Sequence, residues 1–351
     1  MRRASKRTLT MRFSVLLFAA ALATTACASG DESVADTTTP STTPTTNTIA
    51  PSTTTTSTTT TTAAPLTPLE ALGYPVSSDW VLETVVSGID SATGGLAVGP
   101  DGFFYQADFG YADHPGDTVY KISPEGDIEV LIQSDDLEQL TMTAFGPDGA
   151  LYQTAYGSGQ VLRIDEDGTF EVLAEKLRGP TGIVIAEDGT LYVDSYAKDV
   201  IYRITADGVV EDWVSHGAFS GVNGLTQGPD GTLYVINHKD GGLFAVDAEG
   251  SVTNLHKFPK ATSHGVYLDG SIFVTSRSGY VVFRYDLASG DVEIVVGSGE
   301  AGDQDGRGGE ASFGRPNAIT VGPDGALYIN HGVGNTNDPV TIRKISFQPL
   351  P

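Results

Sequence analysis

The sequence predicts an all-β, six-bladed propeller made of four-stranded antiparallel blades, and three observations carry that prediction. First, a short apolar run, Asp-Gly and a second apolar run recur at Asp101-Gly102, Asp148-Gly149, Asp188-Gly189, Asp230-Gly231, Asp269-Gly270 and Asp324-Gly325. The copies lie roughly 40 to 55 residues apart, the period of propeller blades. Second, each hairpin is followed by two more strand-like runs, as in Val119-Tyr120-Lys121-Ile122 and then Asp127-Ile128-Glu129-Val130-Leu131. Third, the last unit has no fourth run after Ser346, while Trp80-Val81-Leu82-Glu83-Thr84-Val85-Val86 precedes the first hairpin without one of its own. That N-terminal strand is therefore expected to complete blade six and close the ring, leaving no long free edge.

Taken in order, the chain begins with Arg2, Arg3, Lys6, Arg7 and Arg12 ahead of an apolar run from Phe13 to Ala23. The run is too short to span a bilayer, and the layout is that of a secretory signal. Met11 offers a second start that leaves a shorter signal. Ala23-Thr24-Thr25-Ala26-Cys27 resembles a bacterial lipoprotein signal, with Thr24 where that signal prefers Leu. The resemblance implies lipidation of Cys27, an extracytoplasmic location and a membrane contact through the anchor; ordinary secretion is the alternative. Cys27 is the only cysteine, so the folded part can hold no internal disulfide. Residues 28–65 are dominated by Thr, Ser, Pro and Ala, a composition that cannot offset its own ordering entropy, and read as a linker. Residues 66–351 are the propeller. The net charge of −24, with five basic residues spent on the signal, excludes nucleic acid and anionic membrane surfaces as partners.

In each hairpin the Asp-Gly pair is expected to supply the positive φ angles of a tight turn. The recurring Tyr105, Tyr152, Tyr192, Tyr234 and Tyr328 read as blade core, and Arg163, Arg203 and Arg343 as one repeated position used for packing or pairing. The long connection before blade six carries Gly302-Asp303-Gln304-Asp305-Gly306 and then Ala311-Ser312-Phe313-Gly314-Arg315-Pro316. It resembles the connection of NHL-repeat proteins, a family of six-bladed propellers, and is read as structural. A calcium loop there would place its first acid on Ala301 and its closing Glu on Ser312.

The Gly-Pro-Asp-Gly-x-Leu-Tyr runs resemble the wider NHL, SMP-30/gluconolactonase and streptogramin-lyase group. The start of each innermost strand lies beside the end of the second, away from the turn, so both sets of side chains are expected at one channel mouth. Counting back from the turn glycine places Gly94, Thr141, Thr181, Asn223, His264 and Asn317 at the strand starts. The second-strand ends add Asp108, Asp194, Ser195, Asn237, His238, Arg277, Asn330 and His331. Similarity to SMP-30, through Val222-Asn223-Gly224-Leu225, implies a divalent cation, Ca²⁺ or Mg²⁺, on Asn223 and Asn317 with Asp194 as the carboxylate. Similarity to the streptogramin lyases implies His264 as a general base, flanked by His238 and His331. No Glu or Asp stands at the six strand starts. The expected function is therefore binding of a small molecule, glycan or protein on the channel face. Ligand candidates are Asn223, Asn317, Asp194, Arg277, His238, His331 and Asp108, with the long Asp108-to-Asp117 loop overhanging them. The alternatives are a metal-dependent lactone or ester hydrolase and a structural envelope protein.

Overall fold

The computed structural model describes residues 65–110, 115–332 and 339–351. Cys27, the signal segment, the linker through residue 64 and residues 111–114 of the overhanging loop lie outside the described residues. Among those described, the strands form six antiparallel sheets. The innermost strands, Thr93–Val98, Leu140–Phe145, Pro180–Ile185, Val222–Gln227, Gly265–Leu268 and Arg315–Val321, touch their neighbours all the way round and close the ring. In blade one the order outward is Thr93–Val98, Phe104–Asp108, Thr118–Ile122, Ile128–Gln133, and blades two to five repeat it.

Blade six is closed by Trp80–Ile89, which pairs antiparallel with Val340–Phe347 in the register Leu82↔Ile345 and Thr84↔Arg343. The long connection adds a short fifth strand, Gly306–Arg307, outside it, with Leu82 facing Gly306. Residues before the closing strand also belong to the fold. The 3-10 turn Glu70–Leu72 buries Leu72, Tyr74 Oη lies 2.9 Å from His256 Nε2, and Val76 bridges Ile294 of blade five.

The turns differ from expectation, and the residues ahead of Asp-Gly are the reason. Gly99 N–H donates to Phe103 O at 2.8 Å and Gly102 N–H to Gly99 O at 2.9 Å, so the loop has three residues rather than two. Pro100 fixes its own φ near −65° and pre-sets an ordinary turn, leaving only Gly102, at φ 81°, in the left-handed region. The same pair of bonds recurs at Gly146, Gly228 and Gly322, each followed by proline, and at Ala186, where Glu187 takes the proline's place. Only blade five makes the two-residue turn with positive φ at both positions, Asp269 at 47° and Gly270 at 75°. That shortens its hairpin by one residue rather than the two expected, so Ser263, and not His264, takes the strand-start place equivalent to Asn223 and Asn317, with His264 one residue beyond it.

The repeat is built into the packing. Tyr105 Oη donates to Asp101 at 3.1 Å, Tyr152 to Asp148 at 3.2 Å and Tyr328 to Asp324 at 3.0 Å. A cation from the third strand joins each acid: Lys121, Arg163 and Lys344 at 3.1, 2.9 and 2.7 Å. Register corrects the arginine repeat here. Arg163 and Arg203 stand opposite Tyr152 and Tyr192, but it is Lys344 that stands opposite Tyr328. Arg343 is one residue out and therefore on the other face, fully buried, donating to Asp305 Oδ1 at 2.6 Å and Ser312 O at 3.3 Å. Aromatic contacts stitch the seams between blades, as Tyr105 on Phe145, Phe104 on Tyr328 and Trp80 on Phe273, with ring centroids 5.0, 5.3 and 5.2 Å apart.

Candidate functional site

Side chains alternate along a strand, and the shared register of the blades arranges three rings of them around the end of the channel away from the turns. The first ring consists of the strand-start residues and is a hydrogen-bonded belt. Thr141 Oγ1 donates to Pro180 O at 3.0 Å and Thr181 Oγ1 to Val222 O at 3.2 Å. Asn223 Nδ2 donates to Ser263 Oγ at 3.4 Å and Ser263 Oγ to Asn317 Oδ1 at 2.7 Å. Asn317 Nδ2 returns to blade one at Thr93 O, 3.1 Å, and Gly94 O, 2.9 Å. Each bond crosses from one blade to the next. Between blades one and two there is no side chain to continue it, because a Cβ on Gly94 would sit 2.6 Å from Leu140 O.

The second ring lies two residues beyond each repeated tyrosine, or beyond Phe273 in blade five, and is hidden behind the first. Its members accept from the backbone N–H at the bulge of the inner strand. Thr154 Oγ1 accepts from Met142 at 2.9 Å, Asp194 Oδ1 from Gly182 at 2.5 Å, Thr275 Oγ1 from His264 at 3.1 Å and Asn330 Oδ1 from Ala318 at 2.8 Å. Three of the four also donate to the next blade: Thr154 to Thr181 O, Thr275 to Asn317 O and Asn330 to Gly94 O, at 2.6, 2.8 and 3.0 Å. Asp194 does not. Its Oδ2 is buried without a partner, and burial lifts its carboxyl to about 6.

The third ring stands four residues beyond the tyrosine, or beyond Phe273 in blade five, where the second strands end, and consists of Phe109, Tyr156, Tyr196, His238 and Arg277. Neighbouring rings meet edge to edge or tilted, Phe109–Tyr156, Tyr156–Tyr196 and Tyr196–His238, with centroids 6.3, 6.4 and 5.8 Å apart. Together with the belt they line a cavity of about 310 Å³, floored by Asn223, His264 and Asn317. This is the lower end of the size range of small-molecule sites. Toward the turns the channel holds a second cavity of about 300 Å³ among Met142, Ile183, Leu225 and Ile319. Thr143, Thr226 and Thr320 also line it.

The mouth is electrostatically one-sided. Arg277 Nη1 donates to Asn317 Oδ1 at 3.1 Å. Burial and the nearby Arg315 lower its pKa. Burial, then Arg277, lowers that of His238. His264 is pushed to about 3 by burial, then by His238 and Arg277. Nδ1 of both histidines is buried with no partner. None of the described residues lining the cavity is acidic.

Of the sequence candidates, Asn223, His264, Asn317, His238 and Arg277 thus meet in one cavity, and three do not. Asp108 is buried and accepts from Ala92 and Gly110 N–H at 2.8 and 3.0 Å, holding its own loop. Asp194 lies behind Thr181 and Gly182. His331 sits under the long connection, where Nδ1 accepts from Gly314 N–H at 3.0 Å and Arg343 Nη1 stands 3.2 Å from Nε2. Burial and Arg343 push it to about 3, which leaves it neutral in the fold. Tyr156, Tyr196 and Ser263 were not singled out by sequence reasoning. Counting four residues past each tyrosine would have found the first two, because that is the place where the repeats differ most.

The donor set does not fit the divalent cation that the resemblance to SMP-30 implies. Asn317 has both ends of its amide engaged, the oxygen by Ser263 and Arg277 and the nitrogen by two backbone carbonyls. Asp194 does not line the cavity, and among the described residues no three His, Cys, Asp or Glu side chains cluster as ligands. A hard cation needs several oxygen donors, usually carboxylates, whereas this mouth offers a guanidinium and two imidazoles.

Six four-stranded antiparallel blades around a polar mouth make the protein a six-bladed β-propeller with one candidate site on its channel face. The chain belongs to the virginiamycin B lyase family, whose pattern matches residues 80–279, more than half of it. Virginiamycin B lyase from Staphylococcus aureus is similar in structure at 16% identity, with a TM-score of 0.53 over 76% of this chain and 99% of that one. A gluconolactonase from Xanthomonas campestris gives 17% identity, a TM-score of 0.58 and coverage of 76% and 89%. The PQQ-bound aldose sugar dehydrogenase from Streptomyces coelicolor gives 16%, 0.57, and 77% and 100%. At these identities the likenesses speak for the fold. No curated protein sequence matches the chain.

Proposed function

We propose that this propeller is a small-molecule-binding protein whose receptor site is the channel mouth, held outside the cytoplasm by an anchor at Cys27 and the Thr-rich linker. The observation that carries the reading is the absence of acidic side chains among the described residues lining a cavity of about 310 Å³ that is otherwise rich in aromatic and amide groups. A metal-assisted hydrolase or lyase needs carboxylates to hold its ion and to orient its base, and this mouth supplies binding surface without them. The test is ligand-observed NMR with a fragment library on the parent protein and on Tyr196→Ala, paired with elemental mass spectrometry after dialysis without chelator. Tyr196-dependent binders and no stoichiometric metal are expected. One divalent ion per chain, lost in Asn223→Ala, would refute the reading.

A second reading, a lyase or lactone hydrolase, is favoured by the family match and by the unpartnered Nδ1 of His264 at the cavity floor. There His264 would be the base. A nitrogen held at about 3 is a weak base near neutral pH. Turnover of a streptogramin B or an aldonolactone, abolished by His264→Gln, would establish it.

A further inference from the structure

We propose that the channel mouth selects an organic anion, with a carboxylate or similar oxyanion seated against Arg277 and His238 and a flat apolar body lying along Tyr156 and Tyr196. This rests on the reading of the mouth as a ligand site and adds the chemistry of the ligand.

Three independent observations point the same way. The first is the shortage of compensation around Arg277. A guanidinium carries five N–H donors, and the single hydrogen bond it makes among the described residues goes to a neutral amide, Asn317 Oδ1 at 3.1 Å. By contrast Lys121, Arg163, Arg203, Arg284 and Lys344, on the third strands, each have a carboxylate partner. Removing a charge from water is costly unless it is paired, so the site is electrostatically incomplete as it stands. Arg315 adds to the positive field there, and its effect on Arg277 is repulsive.

The second observation is the pair of orphaned imidazole nitrogens, His238 Nδ1 and His264 Nδ1, buried in the same cavity. Buried polar atoms are nearly always hydrogen-bonded, and a ligand group that reaches either nitrogen would supply the partner the protein does not. The proton affinities of both histidines are lowered, that of His238 by burial and then Arg277, that of His264 by burial, then His238, then Arg277, which registers the same positive field.

The third observation is the asymmetry of the rim. Blades one to three contribute Phe109, Tyr156 and Tyr196, and blades four and five contribute His238 and Arg277. Aromatic faces on one side and a cation on the other fit a molecule with an apolar plate and a charged end. The chain as a whole, at −24, repels anions. Screening limits that repulsion to about 10 Å, so attraction has to be local, and a lining without acids among the described residues provides it.

The experiment is titration calorimetry on the purified protein with 2-naphthoate, its neutral amide 2-naphthamide and inorganic phosphate, each against parent, Arg277→Gln and Tyr196→Ala, with melting curves for all three. The expected result is binding of naphthoate, with naphthamide and phosphate each weaker by about tenfold or more. Arg277→Gln is expected to weaken naphthoate by about tenfold to a hundredfold, the range for a charge-assisted pair, while melting close to the parent. Naphthamide binding as tightly as naphthoate, unaffected by Arg277→Gln, overturns the selection of anions and leaves the ligand site standing. Phosphate binding as tightly as naphthoate overturns the apolar body. If only neutral or cationic fragments bind at the Tyr196-dependent site, the anion inference alone fails. If no fragment of any charge binds there, both it and the reading beneath it fail.

Discussion

Replacing Asp194 with asparagine is expected to stabilise the propeller, and by an amount that depends on pH in a defined way. Asp194 is fully buried at a position where blades two, five and six use Thr154, Thr275 and Asn330, all neutral. Its Oδ1 is satisfied by Thr181 Oγ1 and Gly182 N–H, but Oδ2 faces no donor. A carboxyl that ionises at about 6 in the fold and at 3.8 in the unfolded chain favours folding fully below pH 3.8. That contribution is lost as pH rises through 6. Each tenfold displacement of a proton equilibrium is about 1.4 kcal/mol, so the fully ionised group costs about 3 kcal/mol. Asparagine does not titrate, and its Nδ2 can reach the next blade as Asn330 does. The difference in stability between Asp194→Asn and the parent protein should therefore be small near pH 4, grow by about 3 kcal/mol up to pH 7, and then level off. In melting temperature that is roughly 6 °C, at about 2 °C per kcal/mol for a domain of this size. Thermal melts followed by circular dichroism across pH 3.5 to 8 measure it, and subtracting the parent curve cancels the histidines. A difference independent of pH, or a variant less stable than the parent at pH 8, would refute the argument and mean that the ionised carboxylate is needed.

Two further outcomes follow from the closing blade. Leu82→Ala empties a fully buried site in the strand that shuts the ring and should cost about 2–5 kcal/mol in chemical denaturation, the range for such truncations; a loss below about 1 kcal/mol would mean that blade six is held elsewhere. Arg343→Ala removes the buried clamp on Asp305 and Ser312. Amide exchange should then quicken across residues 302–314 while blades two to four are unchanged, and uniform quickening would contradict a local clamp.

The ring was legible because its determinants are local and repeated. The turn glycine and the tyrosine recur at a constant offset, and the missing fourth strand of blade six had one obvious donor at Trp80. The strand starts were legible where the turn is shared, since counting from it lands on Asn223 and Asn317, but in blade five the shorter turn moved the count one residue past Ser263 to His264. Depth was not legible. Asp194 and Tyr196 are two residues apart on one face of a strand, yet the neighbouring inner strand covers the first and leaves the second at the rim. Arg343 shows a related limit, since a one-residue slip in register exchanges a solvent-facing cation for a buried one. Nor does a run such as Asn-Ala reveal that Asn317 has spent its amide on atoms of the blades to either side, a fact that exists only in the assembled ring.

The closing blade also sets the order in which the chain can be finished. Trp80–Ile89 is the first strand of the propeller to be synthesised, and its partner Val340–Phe347 is the last. Bringing them together closes a loop that contains every other blade, the longest-range pairing the fold requires, and such pairings are slow to form. Until it forms, the molecule is an open arc with bare strand edges at both ends, the state most exposed to pairing with another copy of itself. The seam that makes the finished ring secure is thus also where a nascent or refolding chain is most vulnerable.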